Sequence, residues 1–298
     1  MIEIKQHGKH LGAEILGVDL SRPVDDATFE QIVAAFHQHS VAFFRNQDIT
    51  PAQQVAFSRR FGELEPHVRK EARLEGHPEI FVLSNILDEN GKAIGSQDAG
   101  RMWHSDLSYK REPSRMSLLY AREVPEKDGV VLGDTLFAST AAAYDALPAE
   151  MQRRLSALKN VHSYSDYRAK NRAQQQAEEA SGGRVVQEAA LDEQQKKSVP
   201  DVATPVVRTH PFNGRKCLFV NEGHTSYIVG MPRAESDALL AELYRHITQP
   251  EFVYRHRWQQ GDLLMWDNCS TQHKATFDYD LPLRRLMHRT TIHGSVPF

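Results

Sequence analysis

MWHSDLSYKREPSRMSLLYAREVPEKDGVVLGDTLF, residues 102–137, is the stretch on which the fold turns. Its runs MWHSDLSY, MSLLYA and VVLGDTLF are short, β-like and parted by polar and Gly/Pro turns, a texture that predicts an antiparallel barrel or sandwich. The pattern begins with IFVLS at 80–84 and returns in three strand candidates at 252–258, 262–266 and 285–293. Upstream, residues 1–20 read as two short β segments. A helix capped by Asp25 or Asp26 then carries Phe29, Ile32, Val33 and Phe36 at helical spacing, before the strand-like VAFF at 41–44. Thr50-Pro51 opens a second helix through Val55, Phe57 and Phe61, with Thr as cap and Pro at the first helical position. Helical spacing recurs at 139–158 and 234–247, both predicted to pack outside the sheets. Residues 163–200, rich in Gln, Glu, Ala, Lys and Ser with few apolar anchors, read as a lid-like insertion within a single domain spanning 1–298. No internal repeat is visible, which excludes solenoids and propellers.

The 298 residues are 40% hydrophobic and 25% charged, the make-up of an ordinary globular chain, so a sizeable core can form. A formal net charge of −3 supplies no basic field for nucleic acid or an anionic membrane, and the expected partners are small molecules. No apolar run approaches a membrane span, and the N-terminus lacks the apolar core of a signal peptide, which predicts a cytoplasmic protein. Two cysteines, Cys217 and Cys269, are no disulfide framework. Fifteen histidines are the one compositional oddity and direct attention to metal chemistry.

Alternate residues of a strand share a face, so His-x-Asp offers an imidazole and a carboxylate to one ion. The triplet is common: this composition gives about two His-x-Asp/Glu by chance, and context must decide. His77-Pro78-Glu79 contains a proline and reads as a turn before IFVLS. In WHSDLSY, His104, Asp106 and Ser108 share a wholly polar face opposite Trp103, Ser105, Leu107 and Tyr109, and a buried His and Asp need a partner or an ion. A third ligand from another strand is needed. His273, after GDLLMW and the Asp267-Asn268 turn, fits best; His256 and His288 adjoin arginines, and His293 sits by the chain end. Two histidines and a carboxylate leave coordination positions open, the pattern of non-haem Fe(II) oxygenases. A 2-oxoglutarate chelating such an iron presents a distal carboxylate, for which Arg285, twelve residues after His273, supplies a planar fork.

The chain resembles the TauD/TfdA family along nearly its whole length. Five collinear blocks carry the likeness: HLGAEILGVDLSRPVDD, VAFFRNQDITPAQQVAFSRRFGELEPH, WHSDLSY, GDTLFASTAAAYDALP and FVYRHRWQQGDLLMWDNCSTQHKATFDYDLPLRRLMHRTTIHG. The resemblance implies a double-stranded β-helix, a jelly roll wrapped by helices, with Fe(II) held by His104, Asp106 and His273. It further implies that Thr135 and Arg285 hold the far carboxylate of 2-oxoglutarate, that Arg289 meets an anionic group of the substrate, and that His67 lies on the substrate side. The implied reaction uses O2 to convert 2-oxoglutarate to succinate and CO2 while hydroxylating a small aryloxy carboxylate, sulfonate or alkyl sulfate beside a heteroatom, leading to C–O or C–S cleavage. A homo-oligomer, dimer or tetramer, is also implied. Gly100 departs from the taurine-acting pattern, which has a substrate-touching asparagine there, and argues against 2-aminoethanesulfonate. Two rival readings remain at this stage: a zinc-dependent hydrolase built on the same three ligands, and a non-catalytic jelly roll that binds a small acid.

Overall fold

The computed structural model describes residues 2–97, 99–180 and 199–298. Strands β1 (Glu3–Gln6) and β2 (Ala13–Leu16) pair antiparallel with Ile4 opposite Ile15. Helix α1 (Asp26–His39) starts on Asp25, whose carboxylate accepts the Thr28 N–H at 2.9 Å. After β3 (Val41–Phe44), α2 (Pro51–Arg59) opens on a capping box in which Thr50 and Gln53 bond each other's backbone N–H. Next come β4 (Arg73–Leu74) and β5 (His77–Ser84). His77-Pro78-Glu79 therefore begins a strand instead of forming the expected turn, and Glu79 pairs with Arg59 at 2.6 Å.

Strand β6 (Met116–Glu123) is followed by β7 (Glu126–Lys127), β8 (Val130–Val131) and β9 (Thr135–Ser139). VVLGDTLF is thus two strands, because Gly133 at φ +75° turns the chain between them. The single helix predicted for 139–158 is likewise two, α3 (Thr140–Asp145) and α4 (Ala149–Ser156), parted at Pro148. Strand β10 (Lys159–His162) leads into α5 (Tyr164–Ala180), the described part of the proposed lid; residues 181–198 lie outside the described residues. The remainder is β11 (Val202–Pro205), β12 (Val207–Thr209), β13 (Lys216–Leu218), β14 (Thr225–Ile228), α6 (Arg233–Ile247), β15 (Val253–His256), β16 (Leu263–Asp267), β17 (Thr271–Ala275) and β18 (Leu286–Ile292).

An eight-stranded sheet in the order β1-β2-β3-β16-β6-β18-β5-β4 faces a three-stranded sheet, β15-β9-β17, in the expected jelly roll. The two-residue period of its strands sorts the core. Phe43, Leu119, Leu264, Trp266 and Met287 point inward and meet Phe137 of β9 and Trp258. Their neighbours Phe44, Leu118, Tyr120 and Met265 point outward, where Phe36 of α1 and Phe57 of α2 cover them with Phe61. Each such aromatic buried contributes about 1.5–3 kcal/mol. This rigid pair of sheets holds the site at one open end.

Candidate metal centre

His273 occupies the middle of β17, and His104 joins it through an isolated antiparallel bridge. Each donates its backbone N–H to the other's carbonyl, at 2.8 and 3.1 Å, so both imidazoles leave the same face with ring centroids 4.1 Å apart. WHSDLSY is therefore not the strand expected: after this one bridge the chain turns, with Leu107 at φ +55°, and the turn brings Asp106 back beside the histidines. Asp106 Oδ1 lies 3.7 Å from His104 Nε2, and one ligand atom from each of His104, Asp106 and His273 falls within 4.8 Å of the others.

The protonation states suit an ion. His104 Nδ1 lies 2.9 Å from the Met102 carbonyl, which makes it the N–H donor and frees the Nε2 lone pair. The His273 ring has no hydrogen bond among the described residues, and its Nδ1 is buried without a partner. Burial lowers the pKa of both histidines, His273 strongly, with His104 beside it adding to the effect, so both stay neutral. Burial alone would raise the Asp106 carboxyl, but the Arg289 guanidinium, the two imidazoles and the Ser117 hydroxyl outweigh it and hold the group well below the usual carboxylate range. Two neutral imidazoles and an ionised carboxylate fit a divalent ion while leaving other coordination positions free.

A polar network fixes the carboxylate. Ser117 Oγ donates to Asp106 Oδ2 at 2.6 Å, Asn268 Nδ2 donates to Ser117 and Ser114, and Asn268 Oδ1 accepts the Asp106 N–H and the Trp266 indole N–H. Asn268 and Ser117 were not singled out in the sequence, where nothing separates them from other buried polar residues. Arg289 Nη1 completes the carboxylate shell, donating to Oδ1 at 3.0 Å, while its Nε is buried with no partner among the described residues.

Thr135 opens β9 and accepts the Trp258 indole N–H at 3.0 Å, so its own proton stays free to donate. Arg285 is pinned by its backbone to Ser84 and Asn85 at 2.8 Å each, and its side chain lies against Gly133, two residues before Thr135. Both therefore stand at one end of β9. His67 and Arg289 both lie on the Phe81 ring, 3.9 and 5.1 Å from its centroid, and both line the pocket that His104 and Asp106 also line. The wall opposite was missed in the sequence: Tyr109, Tyr164, Tyr167 and His224 form a chain of ring contacts with centroids 4.5 to 6.0 Å apart. The available signal was Tyr164 and Tyr167, one helical turn apart at the start of a segment that otherwise reads as polar. Lys170 seats that helix by donating to the Glu222 and Thr225 carbonyls. Gly100 lines the same pocket at φ +92°, a conformation that side chains rarely adopt.

The three competing histidines lie away from this group. His256 is buried against Asp262 at 3.1 Å, and His293 pairs with Glu112 at 3.0 Å. His288 neighbours Arg289 on β18 and so points to the opposite face of the sheet. A second cluster of metal-binding residue types, His210, Asp267 and Cys269, is satisfied internally: His210 Nε2 holds Asp267 at 2.6 Å, and its Nδ1 accepts the Phe212 and Asn213 N–H groups.

Residues 3–291 match the family model for taurine catabolism dioxygenase TauD, TfdA family. The chain is 35% identical over 288 residues to the alpha-ketoglutarate-dependent 2,4-dichlorophenoxyacetate dioxygenase of Cupriavidus pinatubonensis, covering 94% of this chain and 93% of that one. It is 34% identical to an alpha-ketoglutarate-dependent sulfate ester dioxygenase of Pseudomonas putida, across 96% of this chain and 88% of the relative. Its structure is similar to that of AAD-2 in complex with Mn(II) and N-oxalylglycine, at a TM-score of 0.78 and 32% identity, with 100% and 99% of the two chains covered. These likenesses displace the zinc-hydrolase and non-catalytic readings. The chain belongs to the TauD/TfdA family and is a 2-oxoglutarate-dependent dioxygenase.

Proposed function

We propose that this dioxygenase binds Fe(II) through His104, Asp106 and His273 and uses O2 to hydroxylate a small anionic substrate beside a heteroatom. The observation that carries the reading is the bridged histidine pair with an ionised Asp106 between Ser117 and Arg289. Bound iron supplies the means of coupling O2 to the conversion of 2-oxoglutarate into succinate and CO2, so that a substrate C–H becomes C–OH. The protein's own groups then have defined tasks. The free proton of Thr135 and the fork of Arg285 hold the distal carboxylate of 2-oxoglutarate. Arg289 keeps one donor on Asp106 and turns its unpartnered Nε toward the substrate anion, and the aromatic faces of Tyr109, Tyr164 and Tyr167 exclude water along the opposite wall. That wall favours a flat aryloxy acid over an alkyl sulfate or sulfonate, because ring-on-ring packing adds about 0.5–1.5 kcal/mol beyond burial. Hydroxylation of the carbon next to the ether oxygen gives a hemiacetal, whose C–O bond to the aryl group breaks as a C=O forms at that carbon, the hydroxyl proton passing to the departing phenol.

Tyr164, Tyr167 and the lysine-seated α5 support a cover over the pocket, and the two buried free thiols suit a reducing, cytoplasmic setting. The reaction reading is tested by adding Fe(II) and 2-oxoglutarate without oxygen and watching for the weak visible charge-transfer band, then following succinate release over aryloxy acids, sulfonates and alkyl sulfates. Absence of both band and succinate would overturn the iron reading, and a preference for alkyl sulfates would overturn the choice of an aryl substrate.

A further inference from the structure

Strand β1 ends the eight-stranded sheet and, among the described residues, pairs only with β2. His7 N–H donates to the Gly12 carbonyl at 2.8 Å, and by the two-residue alternation of an antiparallel ladder Lys5 and Glu3 also turn their backbone groups to β2. The N–H and C=O groups of Ile4 and Gln6 consequently aim outward along a free edge. All four residues of β1 are exposed. On one face lie Glu3 and Lys5; on the other, Ile2, Ile4 and Gln6 border a groove with Ala34, Ala35 and Gln38 of α1.

We propose that this edge is where two copies of the chain associate, β1 pairing antiparallel with β1 across a two-fold axis at Ile4. The register follows from charge. Only pairings that set the outward-facing residues 2, 4 and 6 against one another can form bonds; those centred on Ile2 or on Gln6 overlap the strand Glu3–Gln6 least, which leaves the three that include Ile4. Setting Ile4 opposite Gln6 of the second copy puts Lys5 against Lys5. Setting Ile4 opposite Ile2 puts Glu3 against Glu3. Setting Ile4 opposite Ile4 puts Glu3 against Lys5 twice, in the closely spaced non-hydrogen-bonded positions where cross-strand pairs interact most. A lysine on a sheet edge ordinarily guards against pairing, whereas here a glutamate two residues away makes the edge its own complement. On the groove face the same register closes Ile4 on Ile4 and Ile2 on Gln6, covering apolar surface in both copies. An isologous contact of this kind closes after two chains and gives a dimer, not a fibre.

Sedimentation velocity of the full chain over a concentration series tests this. The wild type is expected to dimerise reversibly. Glu3→Lys and Lys5→Glu each place like charges opposite each other twice and are expected to raise the dissociation constant about tenfold or more. The two variants mixed together are expected to associate again, as is the double variant E3K/K5E, since both arrangements restore opposite charges. Ile4→Pro removes an outward N–H alone and is expected to give a monomer with unchanged catalysis. A wild type that stays monomeric to its solubility limit would overturn the proposal, as would a dimer indifferent to the charge swaps or to I4P. Lys5 also faces Glu14 within its own sheet, so the fold of K5E is checked by its thermal transition, and E3K, which faces Leu16, carries the test if K5E is unstable.

Discussion

Replacing Arg289 is expected to separate the two tasks proposed for it, holding the substrate anion and orienting the Asp106 carboxylate. Arg289 and Asp106 are 6% and 4% exposed and 3.0 Å apart, so solvent does not screen the charge as it would at the surface. Removing one partner from a desolvated, hydrogen-bonded charge pair costs about 2–5 kcal/mol. At about 1.4 kcal/mol per tenfold, Arg289→Leu is expected to lower kcat/KM for an anionic substrate by about 30- to 4,000-fold. Most of this falls on KM, since the group binds ground state and transition state alike. Arg289→Lys keeps the charge but loses the planar fork, and an intermediate loss of about tenfold is expected. The assay is succinate release against substrate concentration for an aryloxy acid and for its uncharged methyl ester, with KM for 2-oxoglutarate measured in parallel. The acid is expected to lose its advantage over the ester while KM for 2-oxoglutarate stays within a few-fold. If R289L left discrimination between acid and ester intact, or raised the 2-oxoglutarate KM instead, the role given to Arg289 would be wrong.

Asp106→Ala or His273→Ala is expected to abolish succinate formation together with tight iron binding, measured by metal content after gel filtration, and D106A also strands the buried Arg289 charge. Thr135→Val is expected to raise KM for 2-oxoglutarate about tenfold or more, and loss of the acceptor for the Trp258 indole lowers stability by about 1–3 kcal/mol in a denaturant titration. Gly133→Ala should act on the same KM, because the added Cβ would lie 3.2 Å from Arg285 Nε and 2.9 Å from the Tyr279 ring. Burial lowers the His162 pKa to about 3. The unfolded chain takes up that proton near pH 6.5, so the stabilising contribution is complete above about 6.5 and falls by up to about 1.4 kcal/mol per pH unit as the medium is acidified toward 3. His162→Gln is expected to flatten that acid limb in thermal melts. A slope unchanged in H162Q would place the proton uptake elsewhere.

The helix caps at Asp25 and Thr50, the strand VAFF and the convergence of His104, Asp106 and His273 are legible because each rests on local chemistry or on a spacing that survives folding. What failed was the inference that His-x-Asp requires a strand. One bridge and a residue at positive φ bring the same two side chains together, and sequence periodicity does not distinguish that turn from a pleat. In the sequence adjacent arginines argue against His256 and His288, whereas the physical reasons are the Asp262 partner of one and the outward face of the other. The tyrosine wall escaped notice because its members come from residues 109, 164 and 167 and meet only in space. Asn268 is the clearest case of a residue that composition cannot reveal: one amide serves Asp106, Trp266, Ser114 and Ser117 at once.

The reciprocal backbone bonds between residues 104 and 273 mean that the imidazole pair is assembled by the sheet, without help from the ion it would carry. A sample stripped by chelator should therefore keep its circular dichroism and melting behaviour nearly intact, and activity should return on the timescale of mixing when ferrous salt is restored. Metal exchange in this scaffold is then a matter of access and competition among divalent ions, uncoupled from folding of the chain.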